Sequence, residues 1–426
     1  MAKNIIPSVK GTREFYPEEM ALRNFIYEKA RQASQLFGYQ EWEAPYLETL
    51  ELYAAKSGEE LVREQAFTFE DRGGSRVTLR PELTPSLARM IAKKQRQLTY
   101  PLRWWSFGPF WRYERPQKGR SREFFQWNID MLGPDTPEAD AELIAVAASF
   151  LKSVGLSPGQ ATIYVNNRHL MDSQFDAIGI PAESRLMVSN LVDRRNKMNE
   201  DAWQTYALEA GLTRPQLDGL VRLLENKDLW KEWEDLRRLF TALDALGVSE
   251  YVEFDANVVR GLLYYTGTVF EAFDVSGSVR RSLLGGGRYN NLLADVGGDP
   301  LSAVGFAMGD VVVGIVLAEN DLVPDFEPSP APVLVTVFSE EFLAESLALS
   351  AELRKAGLNV TNYPEPVKIA NQFKFANKMG MKIALILGAN EVESGQVAVK
   401  DLVSGEQVNV ARADVPERIK QILASE

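Results

Sequence analysis

The sequence predicts a mixed α/β protein: a sheet-rich α+β N-terminal region, a helical insertion within it, and a small C-terminal α/β domain. Three observations carry this. Two stretches before residue 135 read as paired strands around glycine-containing turns. Residues 167–248 are rich in Leu, Glu, Asp, Arg and Trp at helical spacing. After a proline-rich stretch, apolar strand-like runs alternate with helical ones.

A helix is predicted over Pro17–Phe37. Pro17 suits its first turn, Glu18 and Glu19 suit its positive end, and Gly38 suits its stop. Phe25, Ile26, Ala30, Ala33 and Phe37 recur at helical spacing and read as core. Phe67–Glu70 and Arg76–Arg80, joined by Asp71-Arg72-Gly73-Gly74, read as a β-hairpin. A second strand pair leads in over Arg103–Tyr113 and out over Phe124–Leu132, around Pro116–Gly119. Asp255–Phe273 and the stretch from Gly305 onward complete the sheet. Within the insertion, Leu229–Leu246 carries a long helical pattern. Pro324, Pro328, Pro330 and Pro332 mark a linker. Beyond it come a strand (Val333–Phe338), a helix (Phe342–Ala356, stopped by Gly357), a strand (Leu358–Asn362), a helix (Val367–Met379) and a strand (Lys382–Leu387). That alternation argues a largely parallel core. The expected boundaries are 1–323 with an insertion at about 167–248, a linker at 324–332, and a C-terminal domain at 333–426.

Composition excludes several chemistries. The 426 residues contain no cysteine, so disulfides, thiolate metal sites and cysteine nucleophiles are ruled out. The single histidine, His169, cannot build a multi-histidine zinc cage; following the strand-like Ile163-Tyr164-Val165, it reads as a surface or satisfied loop histidine. Chemistry must run on Arg, Glu, Asp, Tyr and bound ions. The first residues lack the apolar run of a signal peptide, and no stretch approaches the ~18 apolar residues of a membrane span, so a cytoplasmic location is expected. The net charge of −12 weighs against nucleic acid as a global sum, but a polynucleotide meets a local patch.

Such a patch exists. Residues 112–122 hold five basic side chains against one acid, Glu114, and aromatics bracket the turn on both sides. A solvated charged turn is the plain reading. Guanidinium groups beside aromatic faces also suit phosphates and bases. Three further segments stand out. Leu79-Arg80-Pro81-Glu82-Leu83-Thr84-Pro85 places a carboxylate and a hydroxyl at a strand end, suited to an ammonium group or to a simple helix cap. Arg260-Gly261-Leu262-Leu263-Tyr264-Tyr265-Thr266-Gly267 offers an anion site beside a polar aromatic wall, or a strand with surface tyrosines. Leu284-Gly285-Gly286-Gly287-Arg288-Tyr289 permits close backbone approach to a ligand, although a glycine run usually makes only a turn.

In this order and spacing the four segments resemble the signature set of histidyl-tRNA synthetases, over nearly the whole chain. Gly38–Pro45 resembles class II motif 1, Arg112–Asp130 motif 2, and Val333 to the end the family's anticodon-binding domain. The resemblance implies a class II antiparallel sheet flanked by helices, with a helical insertion and a C-terminal α/β anticodon-binding domain. It implies ATP-dependent ligation of L-histidine to histidine tRNA through a histidyl-adenylate, in a homodimer. Arg112 and Arg260 would be catalytic, both reaching the α-phosphate. Glu114, Arg120 and Phe124 would complete the ATP site, with Phe124 stacked on adenine. Glu82, Leu83, Thr84, Gln126, Asp130, Tyr264 and Tyr265 would bind histidine, Asp130 and Tyr265 holding the imidazole nitrogens. Arg115 and Gln117 would read the tRNA acceptor end, including its extra 5′ guanosine. The protein would hold no metal of its own; Mg2+ would arrive with ATP.

The pattern departs from many relatives at three places: Asp130 stands where Glu is frequent, Leu263 where Asp is frequent, and Val312 where class II motif 3 carries a γ-phosphate-binding arginine. Either another basic residue substitutes, with Arg120 and Arg122 as candidates, or magnesium carries more of the load, or ATP binds weakly. The competing reading is a synthetase-like paralogue that regulates ATP phosphoribosyltransferase. Such paralogues usually lack the C-terminal domain and parts of the 112–122 loop, both of which this chain has.

Overall fold

The computed structural model describes residues 5–54, 65–195, 197–259, 265–277 and 281–424. The chain divides into two units, Met1–Val323 and Pro324–Glu426. The strands of the first are β1 (Gln40–Glu41), β2 (Leu47–Thr49), β3 (Phe67–Glu70), β4 (Arg76–Leu79), β5 (Leu102–Trp111), β6 (Glu123–Leu132), β7 (Ala161–Asn167), β8 (Val252–Phe254), β9 (Thr268–Asp274), β10 (Arg281–Tyr289) and β11 (Ala303–Gly309).

Eight of them form one sheet in the order β1-β5-β6-β11-β10-β9-β7-β8. Every pair from β5 to β7 is antiparallel, and only the short edge strands β1 and β8 join in parallel. The fold is therefore the antiparallel sheet flanked by helices that the resemblance implies. Strands β2, β4 and β3 form a separate sheet of three, its hairpin turn held by the Asp71 carboxylate, which accepts the Gly73 and Ser75 N–H groups at 2.8 and 2.9 Å.

The helix Pro17–Leu36 ends one residue short of the expected stop, with Gly38 at φ +78° turning the chain into β1. It packs with the helix Pro137–Ser153 on one side of the large sheet. The latter is capped by the Thr136 hydroxyl, and its apolar residues Leu143, Ile144, Val146 and Phe150 are fully buried. Against them lie Trp127, Ile129, Met131, Phe270, Phe306 and Met308, all buried in the same cluster.

Between β7 and β8 the chain is helical: Arg168–Ala177, Arg185–Arg195, Glu200–Glu209, Arg214–Glu225 and Glu234–Ala245. The single pattern expected over Leu229–Leu246 is broken at Trp233, which is extended (φ −115°, ψ 117°). The ring of Trp230 packs on Phe240 at 4.4 Å between centroids, so the chain turns back on itself there. His169 is exposed but helical, in a first turn capped by the Asn167 side chain. No helix among the described residues is long and apolar enough to cross a membrane.

The second unit contains β12 (Val333–Val335), β13 (Val360–Asn362), β14 (Ile383–Ile386), β15 (Gln396–Asp401) and β16 (Gln407–Ala411), in the order β13-β12-β14-β15-β16. The expected largely parallel core is only half right. β12 pairs in parallel with β13 and β14, but β14–β15 and β15–β16 are antiparallel. Only the short helix Ala389–Ser394 separates β14 from β15, too little chain for a parallel crossover. The helices Leu343–Lys355 and Val415–Ala424 share one apolar cluster with β12, β14 and β15.

Candidate active site

The side of the large sheet opposite the helices Pro17–Leu36 and Pro137–Ser153 is built differently. Alternation along β6 turns Phe124, Gln126, Asn128 and Asp130 to this face. Register supplies their neighbours. Gln126 lies between Gly108 and Gly309, Asn128 between Ser106 and Ala307, and Asp130 between Trp104 and Gly305. One strand further, Ala307 faces Gly285 and Gly305 faces Gly287. The floor is thus made largely of residues with little or no side chain. The Gly285–Gly287 run is not a turn, as a glycine run usually is, but the middle of a central strand. The glycines are sterically required. A Cβ at Gly305 would overlap the Asp130 carboxylate, and one at Gly287 would come within 2.9 Å of the Tyr265 ring.

At one end sits Asp130, 6% exposed, accepting a 2.6 Å hydrogen bond from the Tyr289 hydroxyl. Burial pushes its carboxyl up to about 7, and the Tyr289 bond opposes that shift. Tyr265 and Tyr289 are both buried in the apolar cluster on this face. Together with Asp130 they set a titratable acceptor and two phenols on one face, a donor–acceptor set that suits an imidazole.

At the other end, six residues and roughly 20 Å along the strand, lies Phe124. The Arg112 guanidinium stands 5.3 Å from its ring and donates from Nε to the Pro81 carbonyl at 2.9 Å. That bond ties motif 2 to the Pro81–Thr84 segment. Glu82 and Thr84 are half-buried there, and the Glu82 carbonyl accepts from Tyr53 at 3.2 Å. Thr84 opens the helix Thr84–Lys94, but Leu83 is the N-cap, without a side-chain cap bond, so the helix-cap reading of the hydroxyl fails. Leu83 is 1% exposed in the apolar cluster, which leaves only its backbone for a ligand.

The loop between β5 and β6 closes in a tight bridge between Gln117 and Arg120, with Gly119 at φ +85°. Arg115 and Gln117 are exposed on it. Arg120, 64% exposed, pairs with Glu114 at 3.3 Å. Arg122 is fully engaged: it stacks on Tyr113 at 3.9 Å and donates to the Glu114 and Lys10 carbonyls. It shapes the loop, which leaves Arg120 as the more available of the two candidate substitutes. Val312, at the motif 3 position, is half-buried against the apolar cluster and 3.6 Å from where a Gly119 Cβ would stand. Arg260 and Tyr264, with Leu263, lie outside the described residues.

Three charged residues escaped the sequence reading. Arg80 is fully buried, ion-paired to Glu43 at 2.5 Å and sandwiched between Tyr46 and Phe110 at 4.5 Å each. Arg288 is buried on Asp140 at 2.6 Å and on the carbonyls of Pro134 and Thr136. Asp310 binds Arg13 at 2.8 Å. The first two guanidiniums are spent on structure. Only the glycine spacing in β10 and β11 hinted at where the floor would lie. Among the described residues no cluster of three or more His, Asp or Glu side chains is placed to hold a metal ion.

Comparison with known proteins agrees with this geometry. Residues 11–310 match the histidyl-tRNA synthetase family, and residues 332–422 match the anticodon binding domain. The chain belongs to the histidyl-tRNA synthetase family. It is similar to a histidine–tRNA ligase of Opitutus terrae at 39% identity, covering 98% of this chain and 99% of the relative. A chloroplastic/mitochondrial histidine–tRNA ligase of Arabidopsis thaliana is 37% identical over 95% of this chain and 85% of the relative. The crystal structure of a histidyl-tRNA synthetase from a Nostoc species superposes with a TM-score of 0.85 at 26% identity, covering 98% of this chain and all of that one.

Proposed function

We propose that this chain activates L-histidine with ATP and loads it onto histidine tRNA. The histidine carboxylate attacks the α-phosphorus of ATP, pyrophosphate leaves, and the terminal adenosine of the tRNA then takes the histidyl group as AMP departs. The observation that carries the reading is the glycine-floored sheet face, with Arg112 and Phe124 at one end and Asp130, Tyr265 and Tyr289 at the other, in a chain of this family.

The residue roles are those the family resemblance implies, and the shared face of Phe124 and Asp130 and the stacking of Arg112 on Phe124 support them. Phe124 stacks on adenine and Glu114 meets its edge. Arg112 and Arg260 hold the α-phosphate, and Arg120 supplies charge toward the outer phosphates. ATP enters with Mg2+ as substrate. Glu82, Thr84 and Gln126 bind the α-amino group, with the Leu83 backbone beside them. Asp130 and Tyr265 take the imidazole nitrogens, and Tyr264 is assigned to histidine by the resemblance. Positioning and phosphate-charge stabilisation carry most of the rate; one fixed cation on a developing oxyanion contributes ~3–4 kcal/mol. Arg115 and Gln117 read the acceptor end with its extra 5′ guanosine, and the second unit binds the anticodon. A homodimer through Gly38–Pro45 and a cytoplasmic location complete the proposal. The N-terminal domain with its insertion at about 167–248 carries the chemistry.

Histidine-dependent ATP–pyrophosphate exchange tests it. Exchange with histidine and no other amino acid is the expected result; a folded protein without exchange overturns the reading and favours the regulatory paralogue. Arg260→Ala is expected to keep the fold and nearly abolish exchange. Asp130→Ala is expected to raise the KM for histidine far more than that for ATP. A transcript lacking the 5′ guanosine is expected to be charged poorly.

A further inference from the structure

The segment ahead of the first helix is bound to the return arm of the 112–122 loop. The Gly11 carbonyl accepts the backbone N–H groups of Arg122 and Glu123, at 2.8 and 3.3 Å. Arg122 in turn donates from Nη1 to the Lys10 carbonyl at 3.3 Å. Gly11 sits at φ +87°, and a Cβ there would come within 2.8 Å of the Arg122 side chain and 3.0 Å of Pro116. Two residues on, Arg13 Nη2 reaches both carboxylate oxygens of Asp310, at 3.1 and 2.8 Å. Asp310 Oδ1 also accepts the Phe125 N–H at 2.9 Å. Phe15 packs edge-on against Phe125 at 5.9 Å, and Arg23 lies over both rings.

The N–H groups of residues 122, 123 and 125 are therefore all held by this segment, or by the carboxylate to which it is tied. They bracket Phe124, whose ring turns the other way, into the substrate face. Asp310 is 5% exposed. Burial pushes its carboxyl up, while Arg13 and the Phe125 N–H hold it down. Without Arg13 the carboxylate would be buried with its charge poorly compensated, and its grip on the strand would weaken. Asp310 also opens the helix Asp310–Glu319. In this chain the first turn of that helix acts on the site by holding β6.

We infer that residues 9–15 are a positioning element of the nucleotide end of the site: Arg13, through Asp310, sets the start of β6 and thereby the platform presented by Phe124. The inference rests on the assignment of Phe124 to adenine. Its signature is a selective effect on ATP, because Asp130 and Tyr289 lie at the far end of the strand.

The test measures both KM values by pyrophosphate exchange in the full chain, for the unsubstituted protein, Arg13→Ala, Arg13→Lys and Gly11→Ala. Arg13→Ala is expected to raise the ATP KM roughly tenfold, the scale of a small misplacement of a binding group, with the histidine KM within about twofold. Arg13→Lys, which keeps the charge, recovers most of the loss. Gly11→Ala acts in the same direction and carries the test if Arg13→Ala does not fold. An unchanged ATP KM, equal rises in both KM values, or no recovery with lysine overturns the inference while leaving the enzyme reading intact. No exchange by the unsubstituted protein sinks both.

Discussion

On its helix-covered face the large sheet presents Trp127, Ile129, Met131, Phe306 and Met308, all buried. On the opposite face the same two strands present Gln126, Asn128 and Asp130 beside Gly305, Ala307 and Gly309. One chain segment serves both purposes because successive side chains point to opposite sides. The comparison teaches where stability and chemistry can be separated. Bulk lost from the first face costs folding free energy and leaves the substrates equal. Bulk gained on the second face would strike a substrate held there as proposed.

The largest effect is expected on the open face. Gly305→Ala places a methyl on the Asp130 carboxylate; histidine-dependent exchange should fall by roughly 100-fold or more, the scale of a misplaced reacting group, at a stability cost of about 1–3 kcal/mol. Near-normal exchange would mean that Asp130 does not work in its present position. Next comes the closed face. Trp127→Ala should lower unfolding free energy by about 3–5 kcal/mol, read by denaturant melts, with both KM values moving together. A selective effect on one substrate would break the comparison.

The smallest effect is a pH profile. In the folded protein burial disfavours the charge of Asp130 and pushes its carboxyl up to about 7. Its folded pKa lies above its unfolded one, so its contribution to stability is complete below the unfolded value and is lost as pH rises through about 7. With Asp130 as the proposed imidazole acceptor, histidine binding runs the other way, because the ionised carboxylate is the better acceptor. The histidine KM should therefore fall as pH rises through about 7, and Asp130→Asn should flatten that step. Tyr289→Phe removes the hydrogen bond that holds the carboxyl down, so the step should move to higher pH. A profile unmoved by both substitutions would assign the titration to histidine itself.

Much of the architecture was legible. The helix from Pro17 announced itself through proline and two acids in its first turn, and Phe124–Leu132 through its length and flanking turn. The second unit was half legible: its helices and first strands follow local periodicity, but strand direction depends on how far the connecting chain reaches after Ile386. The candidate site was legible only as residue types at matching spacing; the fold adds that Phe124 and Asp130, at the two ends of β6, share a face. Nothing in the sequence marked Arg80 or Arg288 as structural; each is consumed by a carboxylate or carbonyl supplied from distant chain. Tyr289 was visible at the end of a glycine run without any sign that it faces Asp130.

What the sequence determined by itself was local: turns at Gly73-Gly74 and Gly119, the capped helix ends, the two-residue alternation of β6, and the absence of thiol and multi-histidine chemistry. What only the tertiary structure decided was pairing: that Gly305 lies opposite Asp130, Gly287 opposite Gly305, and Asp310 beside both Arg13 and the Phe125 N–H. The physical reason is range. Side-chain period and capping act within a few residues, whereas strand register and buried ion pairs join residues up to 297 positions apart and are settled only when the whole sheet closes.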